Sequence, residues 1–215
     1  TVDYFDTKIE NVIGVLGADY ILGQCTSSNQ LCNLVHRDPV TGSLWQGIQG
    51  YTIDTLQNKG QLRQRGVDIS LTDRVRTDKW GVFGLEFSGT YLLDLKNTNA
   101  NGASYDSVGL YGLVVGQPNP EWRHRTRVSW ETPLPGLGAA ITWRYLDGVS
   151  LDAASAQPTL RNTAQAAVLR DRKLPSMSYI DLSASYRFND KASVRVGVNN
   201  VFDRDPPIVS LTNLS

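Results

Sequence analysis

The feature that most constrains this chain is a two-residue alternation of apolar and polar side chains that recurs in several separate segments. Around Leu182, for example, Ile180 and Ala184 share one side while Asp181 and Ser183 occupy the other. A period of two is typical of a β-strand with one apolar face. The predicted strands are residues 1–9, in ambiguous register, and residues 66–75, 82–93, 122–131, 138–147, 179–188 and 192–202.

Short and long connections alternate strictly between these strands. The tight turns, rich in turn-forming residues, are 76–79, 132–136 and 189–191, and the long connections are about residues 11–50, 96–121 and 148–177. In an antiparallel sheet of up-and-down order, every tight turn then lies at one end and every long loop at the other. This predicts an all-β, antiparallel up-and-down transmembrane β-barrel with long extracellular loops. A soluble β-sandwich has no physical reason to sort its loops in this way.

Aromatic side chains lie near both ends of the predicted apolar faces. Near the tight turns they are Phe83, Trp130 and Phe188, and near the long loops they are Tyr91, Trp122, Tyr145 and Phe202. From Trp122 to Trp130 a tilted strand covers about 20 Å of membrane thickness, close to the apolar band of outer-membrane barrels. Amphipathic rings favour the two membrane interfaces, so we predict two aromatic girdles.

The opposite, polar faces of the strands carry many charges, which we predict to line the barrel lumen. An arginine facing hydrocarbon would cost a few kcal/mol near the middle of the bilayer, a cost that a wet or plugged lumen largely removes. These side chains are either solvated or mutually paired wall charges, or part of a substrate path. The candidate lumen-lining residues are Arg123, Arg125, Arg127, Arg144, Arg187 and Arg195.

Composition narrows the class of protein further. Twenty-one basic residues balance 21 acidic ones, which argues against a nucleic-acid partner. The sequence has no apolar run of about 18 residues and no recognisable signal peptide at its start. With only two histidines and no G-x-S-x-G motif, we expect neither catalysis nor a cofactor.

The chain has two cysteines, Cys25 and Cys32, in a polar stretch of the first long connection. A zinc site needs about four ligands, and His36 alone does not complete the set. We therefore predict a local disulfide, which implies an oxidising compartment, with two unrelated thiols as the alternative.

Three stretches resemble the C-terminal part of the TonB-dependent outer-membrane receptors. They are "TVDYFDTKIENVIG", "NKGQLRQRGVDISL" and "YIDLSASYRF…VRVGVNNVFDRDPP". The second resembles the family's N-x-G…G-[VI]-[DE] strand entry, and the third resembles its N-[LIV]-F-[DN]-[KR]-x-P-P signature. The residues that carry these motifs are Asn58, Gly66, Asp68, Asn200, Phe202, Asp203, Pro206 and Pro207.

The resemblance implies a place for the chain in a larger protein. Barrels of this family have 22 strands around a plugged lumen, so residues 1–215 would supply about seven, near strands 15 to 21. The plug domain, the TonB box, the earlier strands and the last strand would then be absent from this sequence. At the end of residues 192–202, Asn200 and Asp203 are expected to cap freed backbone groups, and Pro206 with Pro207 to stop the strand.

The function that the resemblance implies is reception and uptake at the outer membrane of a Gram-negative bacterium. The expected cargo is a scarce nutrient of the ferric siderophore or carbohydrate class, and the expected energy source is TonB acting through the plug. The expected partners are outer-membrane lipid, TonB and the small nutrient ligand. Aromatic residues of the long loops could stack on that ligand, or simply pack within the loops; they include Trp45, Tyr51, Tyr105 and Tyr111. The alternative is a soluble, secreted β-sandwich for adhesion or carbohydrate binding.

Overall fold

The structure is a computed structural model that describes residues 1–46, 49–162 and 171–209. Part of the third long connection therefore lies outside the described residues, as do the last residues of the chain. The elements in chain order are β1 (Val2–Gly14), α1 (Ala18–Ser28), β2 (Val35–His36), β3 (Tyr51–Thr52), β4 (Gln57–Thr77), β5 (Gly81–Thr98), β6 (Ser104–Asp106), β7 (Leu110–Tyr111), β8 (Trp122–Glu131), β9 (Leu137–Leu146), β10 (Val149–Leu151), β11 (Lys173–Leu174), β12 (Met177–Arg187) and β13 (Ser193–Val198).

The long strands form one antiparallel sheet in the order β1-β4-β5-β8-β9-β12-β13. Each long strand pairs with the next long strand along the chain, so the predicted up-and-down order is confirmed. The tight turns allow this order because each joins two neighbouring strands directly. Glu131 and Leu137, for example, bracket the turn between β8 and β9.

Register separates the two faces of this sheet. Leu85, Val128, Ile141, Leu182 and Val198 lie directly opposite one another on successive strands. Directly paired residues share a face, so these residues define the apolar face. Their sequence neighbours point the other way and define the polar face.

The apolar face is left open rather than packed against a second sheet. Leu182, Ile141 and Val196 keep 44%, 43% and 63% of their surface exposed. A β-sandwich buries this kind of face in its core, so the soluble sandwich is not supported.

Among the described residues, no helix is long and apolar enough to cross a membrane.

The chain divides into two compact units, which we describe separately. The first comprises Thr1–Asp6, Gln64–Leu95 and Ser107–Ser215, and it contains β7 to β13. The second comprises Thr7–Arg63 and Lys96–Asp106, and it contains α1, a 3-10 helix at Cys32–Leu34 and the short β2–β3 pair.

Several strand ends differ from the prediction. The strands predicted at 66–75 and 82–93 extend to Gln57–Thr77 and Gly81–Thr98. β5 extends because Lys96, which we predicted to begin a loop, pairs with Asp106 of β6. The strand predicted at 192–202 ends at Val198. It ends there because Asn200 adopts a left-handed conformation, with φ of 53°, that a β-ladder does not accommodate.

Placing a charge on the apolar face should therefore be far more damaging than placing it on the polar face. We expect Leu182→Arg in the full-length receptor to destabilise the barrel by roughly 2–4 kcal/mol, because the guanidinium would face hydrocarbon. Ser183→Arg is the matched control on the same strand and should cost little. Heat-modifiable gel migration from outer membranes measures both. Equal tolerance of the two variants would contradict the assignment of faces.

Candidate functional site

The six candidate arginines all lie on the polar face of the sheet. Register places Arg125 opposite Arg144, and Arg195 opposite Ser185. Arg123 lies opposite Thr90 towards the long-loop end, and Arg187 lies opposite Ser193 towards the tight-turn end. Whether this face lines a lumen stays a prediction, but the shared face is a property of the structure.

One carboxylate on this face is fully engaged. The Arg144 guanidinium donates Nε–H to Asp181 Oδ2 and Nη2–H to Oδ1, both at 2.9 Å. The backbone N–H of Asn200 donates to the same Oδ1 at 2.9 Å. A two-pronged arginine contact of this kind is stronger and more directional than a single hydrogen bond. Both oxygens of Asp181 are therefore engaged in hydrogen bonds.

Three other arginines meet around this ion pair. Arg125 and Arg127 of β8 and Arg195 of β13 border an open cavity of about 420 Å³, whose lining also includes Asp181, Thr142 and Asn199. No ion pair joins any of the three to a carboxylate within the described residues. The cavity is therefore cationic and wide enough for the oxygens of a carboxylate, a phosphate or a metal-chelating anion. Arg187 does not line it.

The aromatic side chains form two clusters on the apolar face. Towards the tight turns, Phe83 and Trp130 stack with their ring centres 6.0 Å apart. Towards the long loops, His124 packs edge-on against Trp143 at 4.4 Å and stacks with Tyr145 at 5.3 Å. The positions of these clusters agree with the two predicted girdles.

His124 is a polar side chain on the otherwise apolar face of β8. The indole N–H of Trp122 donates to His124 Nδ1 at 2.8 Å, which satisfies one ring nitrogen within the aromatic cluster. The sequence places Trp122 and His124 on the same face, because they are two residues apart on one strand. It does not predict their hydrogen bond, because that bond depends on how the two rings are oriented.

Two of the long loops fold together into a small core within the first unit. β10 pairs in parallel with β7 and antiparallel with β11, which joins residues near Tyr111 to residues near Leu151 and Leu174. Tyr111 and Leu151 are fully buried in this core. Short segments of the two loops, around Tyr111 after β5 and around Leu151 and Leu174 after β9, therefore pack into one body, which strand periodicity alone did not predict. We call this body the loop core; its residues are Tyr111, Val149, Leu151, Ala153 and Leu174.

A buried carboxylate fastens the loop core. Asp152, 2% exposed, accepts the backbone N–H of Val114 at 2.8 Å, of Val115 at 3.1 Å and of Ala153 at 2.6 Å. Gly112 lies so close that a Cβ there would collide with this carboxylate. The Asp152 side chain, from the loop after β9, thus accepts hydrogen bonds from backbone N–H groups of the loop after β5.

The second unit holds the cysteine-bearing loop. Cys25 of α1 and Cys32 are joined in a disulfide with a Cα–Cα distance of 4.7 Å. The Asp54 carboxylate accepts the backbone N–H groups of Leu16 and Gly17, each at 3.0 Å, which fastens the chain just before the helix.

Further along the same loop, Tyr51 stacks on His36 with ring centres 4.7 Å apart, and Trp45 is 73% exposed. The loop also contains Asp38, whose carboxylate accepts backbone N–H groups of Thr41 and Val40; these bonds hold its pKa below the usual value. Tyr51 and Trp45 of this loop keep more than half of their surface exposed. Tyr111, in the loop after β5, is fully buried and cannot stack on a ligand.

The motif residues have distinct structural roles. Asn200 brackets the following turn, with its side-chain oxygen accepting the N–H of Arg204 at 3.1 Å and its amide donating to the Arg204 carbonyl at 3.0 Å. Asp203 was expected to cap as well, but no side-chain bond links it to another described residue. It instead takes a left-handed conformation, with φ of 47°.

The remaining motif residues lie at strand and loop positions. The Asp68 carboxylate accepts the hydroxyl of Thr90 at 2.7 Å on the polar face. Asn58 lies exposed on β4, and Phe202 is 75% exposed. Pro206 and Pro207 do not stop the strand as we expected, because β13 already ends at Val198, well before them.

Gly66 is required by close packing rather than by its dihedral angles. A Cβ at this position would lie 2.5 Å from the ring of Phe5 and 2.6 Å from the carbonyl oxygen of Tyr91. The bare backbone at Gly66 leaves room for the Phe5 ring. This accounts for the glycine in the strand-entry motif. No group of three or more metal-binding side chains occurs in the parts of the chain that the structure covers.

An open up-and-down sheet with an exposed apolar face, two aromatic clusters and a charged opposite face defines the wall of an outer-membrane β-barrel. The family model described as TonB dependent receptor-like, beta-barrel, matches residues 1–201. The chain belongs to this family, whose members are outer-membrane receptors of Gram-negative bacteria rather than enzymes.

Solved structures show the same fold. The ferric enterobactin receptor PfeA of Pseudomonas aeruginosa, in a mutant form, is 16% identical with a TM-score of 0.56, over 94% of this chain and 23% of that one. The FrpB iron transporter of Neisseria meningitidis is 13% identical with a TM-score of 0.50, over 94% of this chain and 24% of that one. The chain thus spans about a quarter of these proteins. Among curated proteins, no sequence matches significantly.

Removing the Asp152 carboxylate should loosen the loop core. In Asp152→Ala, the backbone N–H groups of Val114 and Val115 lose a charged acceptor, and each such hydrogen bond contributes about 1.5–3 kcal/mol. We expect hydrogen exchange at these two amides to accelerate at least tenfold in the full-length receptor. Asp190→Ala, in an exposed tight turn, is the control and should leave them unchanged. Unaltered exchange in Asp152→Ala would show that the carboxylate does not hold the loops together.

Adding a methyl group at Gly66 should weaken the sheet locally. We expect Gly66→Ala to destabilise the folded barrel by about 1–3 kcal/mol, because the Tyr91 backbone has no room to retreat. Gly23→Ala in α1, where no atom lies within 4 Å of the added Cβ, should be neutral or stabilising. Urea titration of gel-resolved folded receptor compares the two, and a neutral Gly66→Ala would exclude the packing explanation.

Proposed function

We propose that this chain is part of the barrel wall of an outer-membrane receptor that imports a ferric siderophore with energy supplied through TonB. Residues 1–215 would form the C-terminal portion of that barrel. The plug domain, the earlier strands and the last strand would belong to the rest of the receptor. The observation that carries the proposal is the family match over residues 1–201.

Two observations favour a ferric siderophore over a carbohydrate. The two structural relatives are named as a ferric enterobactin receptor and an iron transporter. The polar face is also rich in arginines that have no ion-pair partner among the described residues, around the cavity bordered by Arg125, Arg127 and Arg195. A cationic wall attracts an anionic iron chelate by Coulomb forces, whereas it offers a neutral sugar no such advantage.

The loops suit the first contact with such a ligand. Tyr51 and Trp45 present exposed rings on the disulfide-bearing loop, and aromatic rings stack on flat, conjugated ligands. The loop core packs segments of two further loops together. Ordered loops lower the conformational entropy that binding would otherwise cost.

The test is uptake of radioactive iron by cells that lack their own siderophore receptors and carry the full-length receptor gene. Catecholate, hydroxamate and citrate-type chelates are supplied separately, and labelled oligosaccharides form the comparison arm. We expect at least one ferric chelate to enter tenfold faster than in vector controls, and we expect this uptake to vanish in a strain without TonB. Entry of an oligosaccharide without entry of any iron chelate would contradict the proposal.

A further inference from the structure

The segment that follows β13 is fastened to the barrel wall at its start. We call this segment, residues 200–209, the strap. The backbone N–H of Asn200 donates to Asp181 Oδ1 at 2.9 Å, and the backbone N–H of Val201 donates to the carbonyl of Ile180 at 2.8 Å. Both acceptors belong to β12, so the wall holds the first residues of the strap after β13 has ended.

Further hydrogen bonds fix the turn at the start of the strap. The Asn200 side chain both accepts from and donates to the backbone of Arg204. The Arg204 guanidinium in turn donates from Nη1 to the carbonyl of Ser178 on β12 at 3.4 Å. These bonds set the direction in which the strap leaves the wall.

The far end of the strap contacts the loop core. Val209 is half-buried and packs against this core. The adjacent Ile208 is 88% exposed, and Phe202 near the start of the strap is 75% exposed. The strap is therefore held at its two ends and largely exposed between them.

Pro206 and Pro207 lie between the two fastened ends. A proline ring fixes φ at about −65° and restricts the preceding residue to extended conformations. Ordering this part of the strap therefore costs less conformational entropy than ordering a flexible chain. A stiff connection also passes a constraint from one end to the other, which gives the two prolines a role other than ending β13.

We propose that the strap holds the loop core in place on the barrel wall, with the Asp181 carboxylate as its anchor. Asp181 is then a positioning residue, which acts on the loop core through Asn200, the two prolines and Val209. The inference needs only the fold, and it does not depend on which cargo the receptor imports.

Hydrogen exchange at the Ser150 and Leu151 amides of the full-length receptor measures how firmly the loop core is held, because both N–H groups bond to neighbouring backbone there. Asp181→Ala removes the anchor, and we expect exchange at these amides to accelerate at least fivefold. Asp181→Asn should stay within twofold of the unmodified receptor, because its amide oxygen can still accept the Asn200 N–H although the charge is lost. Asp205→Ala, in the exposed part of the strap, is the matched control and should change nothing.

A second variant tests the strap without altering the wall. Pro206→Gly combined with Pro207→Gly makes the strap flexible and should accelerate exchange at the same two amides at least threefold. Ile208→Ser, at an exposed neighbouring position, is its control. Heat-modifiable migration verifies that every variant folds.

The other outcomes each overturn the inference. Equal acceleration in Asp181→Ala and Asp181→Asn would show that the charge on the wall, rather than the anchor of the strap, secures the loop core. Unchanged exchange in Asp181→Ala or in the double proline variant would show that the strap does not hold the loops. Combining Asp181→Ala with the double proline variant should be no faster than the faster of the two alone; a multiplied effect would show that they act independently.

Discussion

Backbone pairing between neighbouring strands is the interaction on which the rest of this structure depends. Hydrocarbon offers no hydrogen-bond partners, so a strand that crosses a membrane must satisfy its N–H and C=O groups with other strands. β4, β5, β8, β9 and β12 each have a partner on both sides. β1 and β13 are the outermost strands of the described sheet, and their outer edges call for the further strands that we propose elsewhere in the receptor.

That pairing also fixes which side chains meet lipid. Because direct partners share a face, one register sets the position of every apolar side chain from Leu85 to Val198. A slip of one residue would carry Arg125 and Arg195 to the same side as lipid, at a few kcal/mol for each charge. The arginines of the polar face therefore exclude a one-residue slip, because such a slip would turn them towards lipid.

The sheet was predictable from the sequence because period-two alternation and tight turns are local signals. Trp122–Glu131 agrees with its predicted strand at both ends. Strand ends beyond the apolar band were not predictable in the same way, since β5 continues only because Asp106 returns to pair with Lys96. The loop core escaped prediction because it depends on non-local contacts between Leu151, Tyr111 and Leu174. The arginines could be assigned to one face, but their partners depend on geometry, as the engagement of Asp181 by Arg144 shows.

The central claim is that the apolar face of the sheet meets lipid and the polar face meets the barrel interior. Single cysteines placed along β12 in the full-length receptor, labelled in intact outer membranes with a water-soluble and a lipid-soluble maleimide, test it most directly. The account predicts that positions 180, 182 and 184 react only with the lipid-soluble reagent. Positions 179, 181, 183 and 185 should not react with that reagent. Reversed or uniform labelling along the strand would contradict the account.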